Sequence, residues 1–281
     1  TNITHEHLDY HKTFGNYVRA KAKLLKYSKI GIINRDDAAF EKLNEVVKTG
    51  KFKSLRSLKT FGLKNDSDYR VNIKKTLKLD VPEYNNYNYL AAYAVCSELG
   101  INKAKITGTL RNFQTPLGRN ETVYDKGFQI IVDFAHTPNS LKQILSDLRT
   151  RTDSRKGRLI HVFGSAGLRD VQKRPMMGSE TSQYADVSIV TEEDHRSENV
   201  ETISKEIISG IKNYESRLKN GTVMVIENRQ RAINQAVAMA RKGDIVVCTG
   251  KAHEKSLNRN GKGEPWDEFA AIRTALNLRN P

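Results

Sequence analysis

The sequence predicts an α/β fold whose second half is a mostly parallel sheet with one antiparallel edge strand. Three observations carry this. Short apolar, β-branched runs alternate with stretches of helical periodicity, the pattern of strands buried on both faces between helices. One run, Phe128–Val132, stops at Asp133; Thr137 then stands as an N-cap, Pro138 at the first helical position, and Leu141, Ile144, Leu145 and Leu148 at helical spacing. The Asp125-Lys126-Gly127 turn joins Thr122–Tyr124 to the same run as a hairpin, which supplies the antiparallel edge.

In chain order, Thr1–Lys12 is polar and histidine-rich, and a helix is predicted from Gly15 to Tyr27 with Tyr17, Ala20, Leu24 and Leu25 on one face. Ile30–Ile33 reads as a short strand ending at Asn34, and Asp36 and Asp37 as the start of a helix that Gly50 closes. Residues 51–83 are basic and weakly patterned, with short strands expected at Leu58–Leu63 and Val71–Leu79. Helices follow at Asn86–Leu99, stopped by Gly100, and at Lys103–Phe113. The character of the sequence changes near Pro116–Arg119, which places a domain boundary there: residues 1–116 form one domain and 117–281 the other. Strands then recur at Leu159–Phe163, Val187–Thr191, Val223–Ile226 and Ile245–Cys248, separated by helical sequence.

At 281 residues, with 38% hydrophobic and 28% charged content, the chain is long enough for two ordinary cores. No run approaches the ~20 apolar residues of a membrane span and no signal peptide opens the sequence, so a cytoplasmic location without a membrane partner is expected. Cys96 falls in a helical pattern and Cys248 in a strand; they fit no metal or redox spacing and read as buried free thiols. The formal charge of +15 has three readings: a nucleic-acid surface, attraction for a polyanionic substrate such as a nucleotide, or a general surface bias. Basic residues are scattered, with no basic arm and little aromatic interleaving, so nucleic acid is not expected as a partner. Thr1 is not Met and falls inside what reads as a functional loop, so the sequence is expected to be a fragment.

Each strand of the second half ends in polar groups. Asp133 and His136 follow the first, where they either cap and solvate a turn or face a ligand. Gly164-Ser165-Ala166-Gly167 with Arg169, Asp170, Lys173 and Arg174 follow the second; Glu192, Glu193, Asp194, His195 and Arg196 follow the third; Gly250-Lys251-Ala252-His253-Glu254 follow the last. One polar loop means little. Four at one edge of a parallel sheet describe a charged cleft, at the place where open α/β sheets bind ligands.

These motifs resemble those of the Mur ligases, ATP-dependent amide-forming enzymes of peptidoglycan precursor synthesis. Val132-Asp133-Phe134-Ala135-His136-Thr137-Pro138 resembles that family's VDYAHTP. Phe163-Gly164 through Arg174-Pro175-Met176-Met177-Gly178 resembles its FGCGGDRDKGKRPLMG, and Gly250-Lys251-Ala252-His253-Glu254 its GKGHE with one change. Upstream, Thr1-Asn2-Ile3 with His7-Leu8-Asp9-Tyr10-His11 is similar to TN(I/L)…HLDYH, Tyr84-Asn85-Asn86-Tyr87-Asn88 with Ala91-Ala92 to FNVxN…A, and Gly118-Arg119-Asn120-Glu121 to GRME. The matches run in one order along the chain. They are most similar to the branch that adds the third peptide residue to UDP-N-acetylmuramoyl-L-alanyl-D-glutamate. Folylpolyglutamate synthases, of like architecture but different motifs, are the alternative; a ligase-like module kept for binding alone is another.

The resemblance implies a mononucleotide-binding central domain, incomplete here, over 1–116 and a Rossmann-like amino-acid-binding domain over 117–281. It implies ATP and Mg²⁺ as cofactors, a UDP-MurNAc-dipeptide and a diamino acid (meso-diaminopimelate favoured) as partners, and a monomer. ATP phosphorylates a carboxylate and an amine attacks the acyl phosphate, so charge on phosphoryl oxygens has to be neutralised. Lys21 matches a carbamylated lysine, whose adduct offers Mg²⁺ the oxygen ligand it prefers, and His7 matches the imidazole ligand; both are assigned to metal binding and catalysis. Asn85 and Asn88 match adenine contacts and Asp133 the ribose contact. Arg119 and His136 match residues facing the nucleotide and its phosphates, with a catalytic role.

Arg169, Arg196, Gly250 and Glu254 match positions that hold the incoming amino acid. Glu193 and Asp194 join them because the family's DNPR signature falls on Glu193-Asp194-His195-Arg196. Arg suits a carboxylate and Glu254 an ammonium. Three departures stand against the family pattern. That signature is altered, residues 61–83 are shorter than the family's hairpin region, and the phosphate loop G-x-x-x-x-G-K-[ST] does not occur in the sequence. The resemblance places that loop, a Mg²⁺-binding glutamate and a uridine-nucleotide domain upstream of Thr1, so the chain by itself is expected to be inactive.

Overall fold

The computed structural model describes residues 2–4, 8–50 and 52–279. The chain divides into two compact units, Thr1–Gln114 and Thr115–Pro281.

In the first unit the elements are α1 (Leu8–His11), α2 (Phe14–Lys26), β1 (Ile30–Asn34), α3 (Phe40–Thr49), β2 (Ser57–Phe61), α4 (Ile73–Leu77), α5 (Glu83–Glu98) and α6 (Lys103–Arg111). β1 and β2 pair in parallel, from Ile30 opposite Ser57 to Asn34 opposite Phe61. The Thr13 hydroxyl caps α2 by accepting from the Asn16 N–H, and the helix buries Tyr17, Val18 and Ala22. Leu24, expected on the inner face, is 72% exposed. Phe61, Ile73, Leu77, Leu90 and Ala94 form the core, with Tyr69, Tyr87 and Tyr89 against it.

Two sequence expectations change here. Val71–Leu79 is not a strand: Asn72 caps α4 by accepting from the Lys75 N–H at 2.9 Å, and Ile73 and Leu77, one turn apart, go into the core together. Nor do Asp36 and Asp37 begin a helix, for α3 starts at Phe40. Asp36 is committed elsewhere. Its carboxylate accepts from the N–H groups of Leu63 (2.6 Å), Lys64 (2.9 Å) and Asn65 (2.8 Å), from the Asn65 amide (2.8 Å) and from the Tyr87 hydroxyl (3.0 Å).

Burial pushes the Asp36 carboxyl up, but the N–H groups of Lys64, Asn65 and Leu63 and the Tyr87 hydroxyl outweigh it and hold the group at about 2. A depressed carboxylate stabilises the folded state above its unfolded value of ~3.9 and loses that contribution as pH falls toward its folded value. Asp36→Ala is therefore expected to cost the first unit about 2 kcal/mol at pH 7, allowing for solvent screening of a half-buried group. Urea unfolding at pH 7 and pH 2.5 checks it: the gap between wild type and variant should shrink at the lower pH. A gap independent of pH would remove the charge from the explanation.

The second unit contains β3 (Glu121–Lys126), β4 (Phe128–Asp133), α7 (Pro138–Ser154), β5 (Leu159–Phe163), α8 (Lys173–Tyr184), β6 (Val187–Val190), α9 (Val200–Ile208), α10 (Tyr214–Lys219), β7 (Val223–Val225), α11 (Arg229–Met239), β8 (Ile245–Thr249), β9 (Ser256–Arg259), β10 (Lys262–Pro265) and α12 (Glu268–Arg279). Its sheet runs β3-β4-β8-β5-β6-β7, parallel except for the β3–β4 hairpin. Thr137 and Ser140 form a capping box at α7, with Pro138 as its first residue.

Both faces are covered, which is why the strands are mostly apolar along their whole length rather than alternating. Ile131, Leu159 and Phe163 pack with α7, α8 and α9 on one side; Ile130, Val132, Ile160 and Val162 pack with α11 and α12 on the other. After β7 the chain returns to insert β8 between β4 and β5. The carboxyl ends of β4, β8, β5 and β6 therefore stand side by side at a reversal of strand order, the place where such sheets open a crevice.

Candidate functional site

Two groups of side chains collect at those strand ends. The first surrounds the end of β4. Asp133 is buried, with Oδ2 accepting from the Asn120 N–H and Oδ1 from the Ala135 N–H, both at 2.7 Å. Burial pushes its carboxyl above the usual range against these two N–H groups and the charges of Arg119 and His136. His136 Nδ1 lies 2.9 Å from the Phe134 carbonyl oxygen. A carbonyl only accepts, so Nδ1 carries a proton and donates it there.

The Phe134 ring organises the neighbours: the Arg119 guanidinium sits 4.6 Å from its centroid, the His136 ring 4.9 Å and the His253 ring 5.0 Å. Lys173 Nζ donates to the His136 carbonyl at 2.9 Å. Arg119, from a separate motif, thus joins Asp133 and His136 in one cluster.

The second group lies around the end of β6 and the loop after β8. Glu192 is clamped by Arg259, whose Nε and Nη2 donate to its two oxygens at 2.8 and 2.6 Å, and it accepts from the Arg229 N–H at 3.0 Å. Asp194 Oδ1 accepts from Lys251 Nζ at 2.8 Å and from the Asn258 N–H at 2.9 Å. Lys251, only 1% exposed, also pairs with Glu254. These contacts hold the Asp194 carboxyl below the usual range although burial pushes it up.

The Arg196 guanidinium donates to the Gly167 carbonyl, and its backbone N–H donates to Asn258 O at 3.0 Å. Glu193 is 7% exposed and its Oε2 makes no hydrogen bond. Gly250 adopts φ +99°, and a Cβ built there would lie 2.5 Å from that oxygen. Glu193, Asp194, Arg196, Gly250 and Glu254 are therefore brought together, whereas Arg169 stands exposed on the loop after β5.

Beneath this group, Arg229 and Glu268 form a fully buried bidentate pair, Nε to Oε2 at 2.9 Å and Nη2 to Oε1 at 2.6 Å. Arg229 also donates to the carbonyls of Glu192 and Thr249, and Trp266 Nε1 to Glu268. The sequence reading missed this pair, the clamp residue Arg259 and the whole β9–β10 hairpin. The hairpin had a signal: Asn260-Gly261, both at positive φ, is the dipeptide of a tight hairpin turn.

In the first unit, Asn85 and Asn88 occupy the opening turns of α5, with Asn88 Nδ2 donating to Asn85 Oδ1 at 3.2 Å. Lys21 is exposed on α2, its Nζ 5.3 Å from the Tyr17 ring centroid. His7 lies outside the described residues. Among the described residues no group of three or more His, Cys, Asp or Glu is gathered to hold a metal ion. An ammonium is no ligand, so Lys21 fits Mg²⁺ only as a carbamate, and its exposure leaves the amine open to CO₂.

Comparison with known proteins gives a consistent answer. Residues 1–96 match the domain family described as Mur ligase middle domain, and residues 118–252 the Mur ligase glutamate ligase domain. The UDP-N-acetylmuramoyl-L-alanyl-D-glutamate–2,6-diaminopimelate ligase 1 of Clostridium acetobutylicum is 39% identical over 289 residues, covering 95% of this chain and 56% of that protein. A solved structure of a ligase of this type superposes with a TM-score of 0.54 at 26% identity, covering 100% of this chain and 60% of its own. The ligand-free bifunctional folylpolyglutamate synthase/dihydrofolate synthase of Yersinia pestis superposes at 0.65 with 18% identity over 99% of this chain and 61% of its own, a likeness of fold. The chain spans about half the length of the curated relatives it matches.

Proposed function

The chain belongs to the Mur ligase family, and on that premise we propose that it supplies the amino-acid-selecting part, and part of the nucleotide site, of an ATP-dependent ligase. That enzyme joins meso-diaminopimelate to UDP-MurNAc-L-Ala-D-Glu through an acyl phosphate, for peptidoglycan precursor synthesis. One observation carries the reading: Glu193, Asp194, Arg196, Gly250 and Glu254 gather at the carboxyl ends of β6 and β8, on the same edge of the sheet as the Arg119–Asp133–His136 cluster at the end of β4. Family members acting on folates have the same fold, but the identity of 39% with a diaminopimelate ligase favours the cell-wall substrate.

Each group has a task on this reading. Asp133 has lone pairs beyond the two taken by backbone N–H groups, and these accept the ribose hydroxyls. Arg119, stacked on Phe134, and His136 face the phosphates, while Asn85 and Asn88 hold the adenine. Arg196 and Arg169 meet carboxylates of the incoming amino acid. His7 and a Lys21 carbamate would hold Mg²⁺, which would supply neutralisation of phosphoryl charge. No helix among the described residues is long and apolar enough to cross a membrane, and a monomer acting in the cytoplasm fits these substrates.

The test is phosphate release by the full-length protein. Release should require ATP, Mg²⁺, the UDP-MurNAc-dipeptide and diaminopimelate together. Arg196→Ala should raise the KM for diaminopimelate by about 30-fold, the loss of one charge-assisted pair, and change the KM for lysine far less. Release that ignores the amino acid would contradict the assignment.

A further inference from the structure

The turn that leads into β3 holds two residues in the left-handed conformation, Gly118 at φ +71° and Asn120 at φ +49°. The Glu121 carboxylate closes it by accepting from the Gly118 N–H at 2.7 Å. Asparagine is one of the few residues with a side chain that enters this region at low cost. The motif GRME, which this stretch resembles, has Met where this chain has Asn120.

A polar side chain has a use here that a thioether lacks. Arg151, on α7, donates from Nη1 to Asn120 Oδ1 at 3.3 Å and from Nη2 to Gln129 Oε1 of β4 at 3.1 Å. The Asn120 side chain also hydrogen-bonds the carboxylate of Asp147, one turn before Arg151. A carboxylate only accepts, so there the Asn120 amide is the donor. Arg151 Nη1 and Asp147 Oδ2 stand 3.9 Å apart, beyond direct hydrogen-bond reach. Asn120 therefore links an acid and a base on one face of the helix. Burial pushes the Asp147 carboxyl up, against Arg151 and Asn120. Packing α7 on the sheet does not require that cost, because Leu141, Ile144, Leu145 and Leu148 already do it.

What the anchored residue does lies in its backbone. The Asn120 N–H donates to Asp133 Oδ2, and the Ala135 N–H to Oδ1, both at 2.7 Å. Ala135 follows directly from β4, so its N–H is placed by the strand itself. Asn120 arrives from across the hairpin, 13 residues away in sequence. The plane of the Asp133 carboxylate thus depends on where the turn is held, and α7 holds it.

We infer that Asn120, anchored by Arg151 and Asp147 of α7, is a positioning residue that sets the Asp133 carboxylate for the ribose of the nucleotide. The inference rests on the proposed function, which gives Asp133 that contact.

The experiment is steady-state phosphate release by the full-length protein, with ATP and with 2′,3′-dideoxy-ATP, which lacks the hydroxyls that Asp133 would meet. Asn120→Gly keeps the left-handed turn and the backbone N–H but removes both anchors. Its KM for ATP should rise about tenfold, the order expected for one lost hydrogen bond to a charged group. Its KM for dideoxy-ATP and for diaminopimelate should change far less. Arg151→Met keeps the stem, removes the donors and should give the same pattern from the helix side, so either variant decides if the other does not fold. Because both act through one link, the double variant should be no worse than about twofold beyond the poorer single one. A KM rise equal for ATP and dideoxy-ATP, or absent from both variants, would overturn the positioning role while leaving the ligase reading in place. Wild-type release that does not require ATP would overturn that reading, and the positioning role with it.

Discussion

Glu268→Gln is expected to destabilise the second unit by about 3–5 kcal/mol, the cost of breaking a buried ion pair from one side. Arg229 and Glu268 are both inaccessible to water, so the variant strands a guanidinium in the core between α11, α12 and the end of β8. For a unit of this size the thermal midpoint should fall by about 6–20 °C. The pair also positions the site, because Arg229 holds the carbonyls of Glu192 and Thr249, the residues that precede Glu193 and Gly250. The double variant Arg229→Met/Glu268→Leu removes both charges and should lose less stability than Glu268→Gln alone, while still weakening amino-acid binding. Differential scanning calorimetry reads the first effect and titration the second. A midpoint for Glu268→Gln within a degree of wild type would mean the pair contributes nothing.

Lys21→Ala is expected to lower ligation by the full-length protein about 100-fold or more, at least what loss of a group supporting a metal costs. Stability should hardly change, because Lys21 is exposed and, among the described residues, its ammonium lies against the Tyr17 ring one turn earlier. On the proposed reading, the neutral amine adds CO₂ and releases a proton, leaving an anionic carbamate in place of an ammonium. Wild-type activity should therefore fall when CO₂ is stripped from the buffer, and a short carboxylic acid should partly restore the alanine variant. A fully active Lys21→Ala enzyme would remove this residue from the mechanism.

Elements whose signals are local were legible in the sequence. Thr137, Pro138 and the Leu141–Leu148 spacing define the start of α7 without help from the rest of the fold, and the buried strands are short, mostly apolar runs. Where partners are distant the reading failed. Asp36 resembles the first residue of a helix, yet its five donors come from Leu63, Lys64, Asn65 and Tyr87. Val71–Leu79 has the composition of a strand, and only the core that receives Ile73 and Leu77 makes it a helix. In the site, the motifs singled out the loops but not how charges pair within them. Lys251 satisfies Asp194, 57 residues away, and leaves Glu193 open, which no spacing rule reveals. Asn260-Gly261 was readable, but lies outside the motifs on which the resemblance rests.

The most direct measurement is a competition. The full-length protein is supplied with ATP, Mg²⁺, the UDP-MurNAc-dipeptide and equal concentrations of meso-diaminopimelate, lysine and ornithine, and the nucleotide products are separated by mass. Arg196 facing the ammonium of lysine or ornithine without a carboxylate to pair is a like-charge contact, whereas diaminopimelate brings both charges. The diaminopimelate product should exceed the other two together by about 30-fold or more, one charge-assisted pair's worth of discrimination. A product pool dominated by lysine or ornithine would contradict the charge pairing on which the account rests.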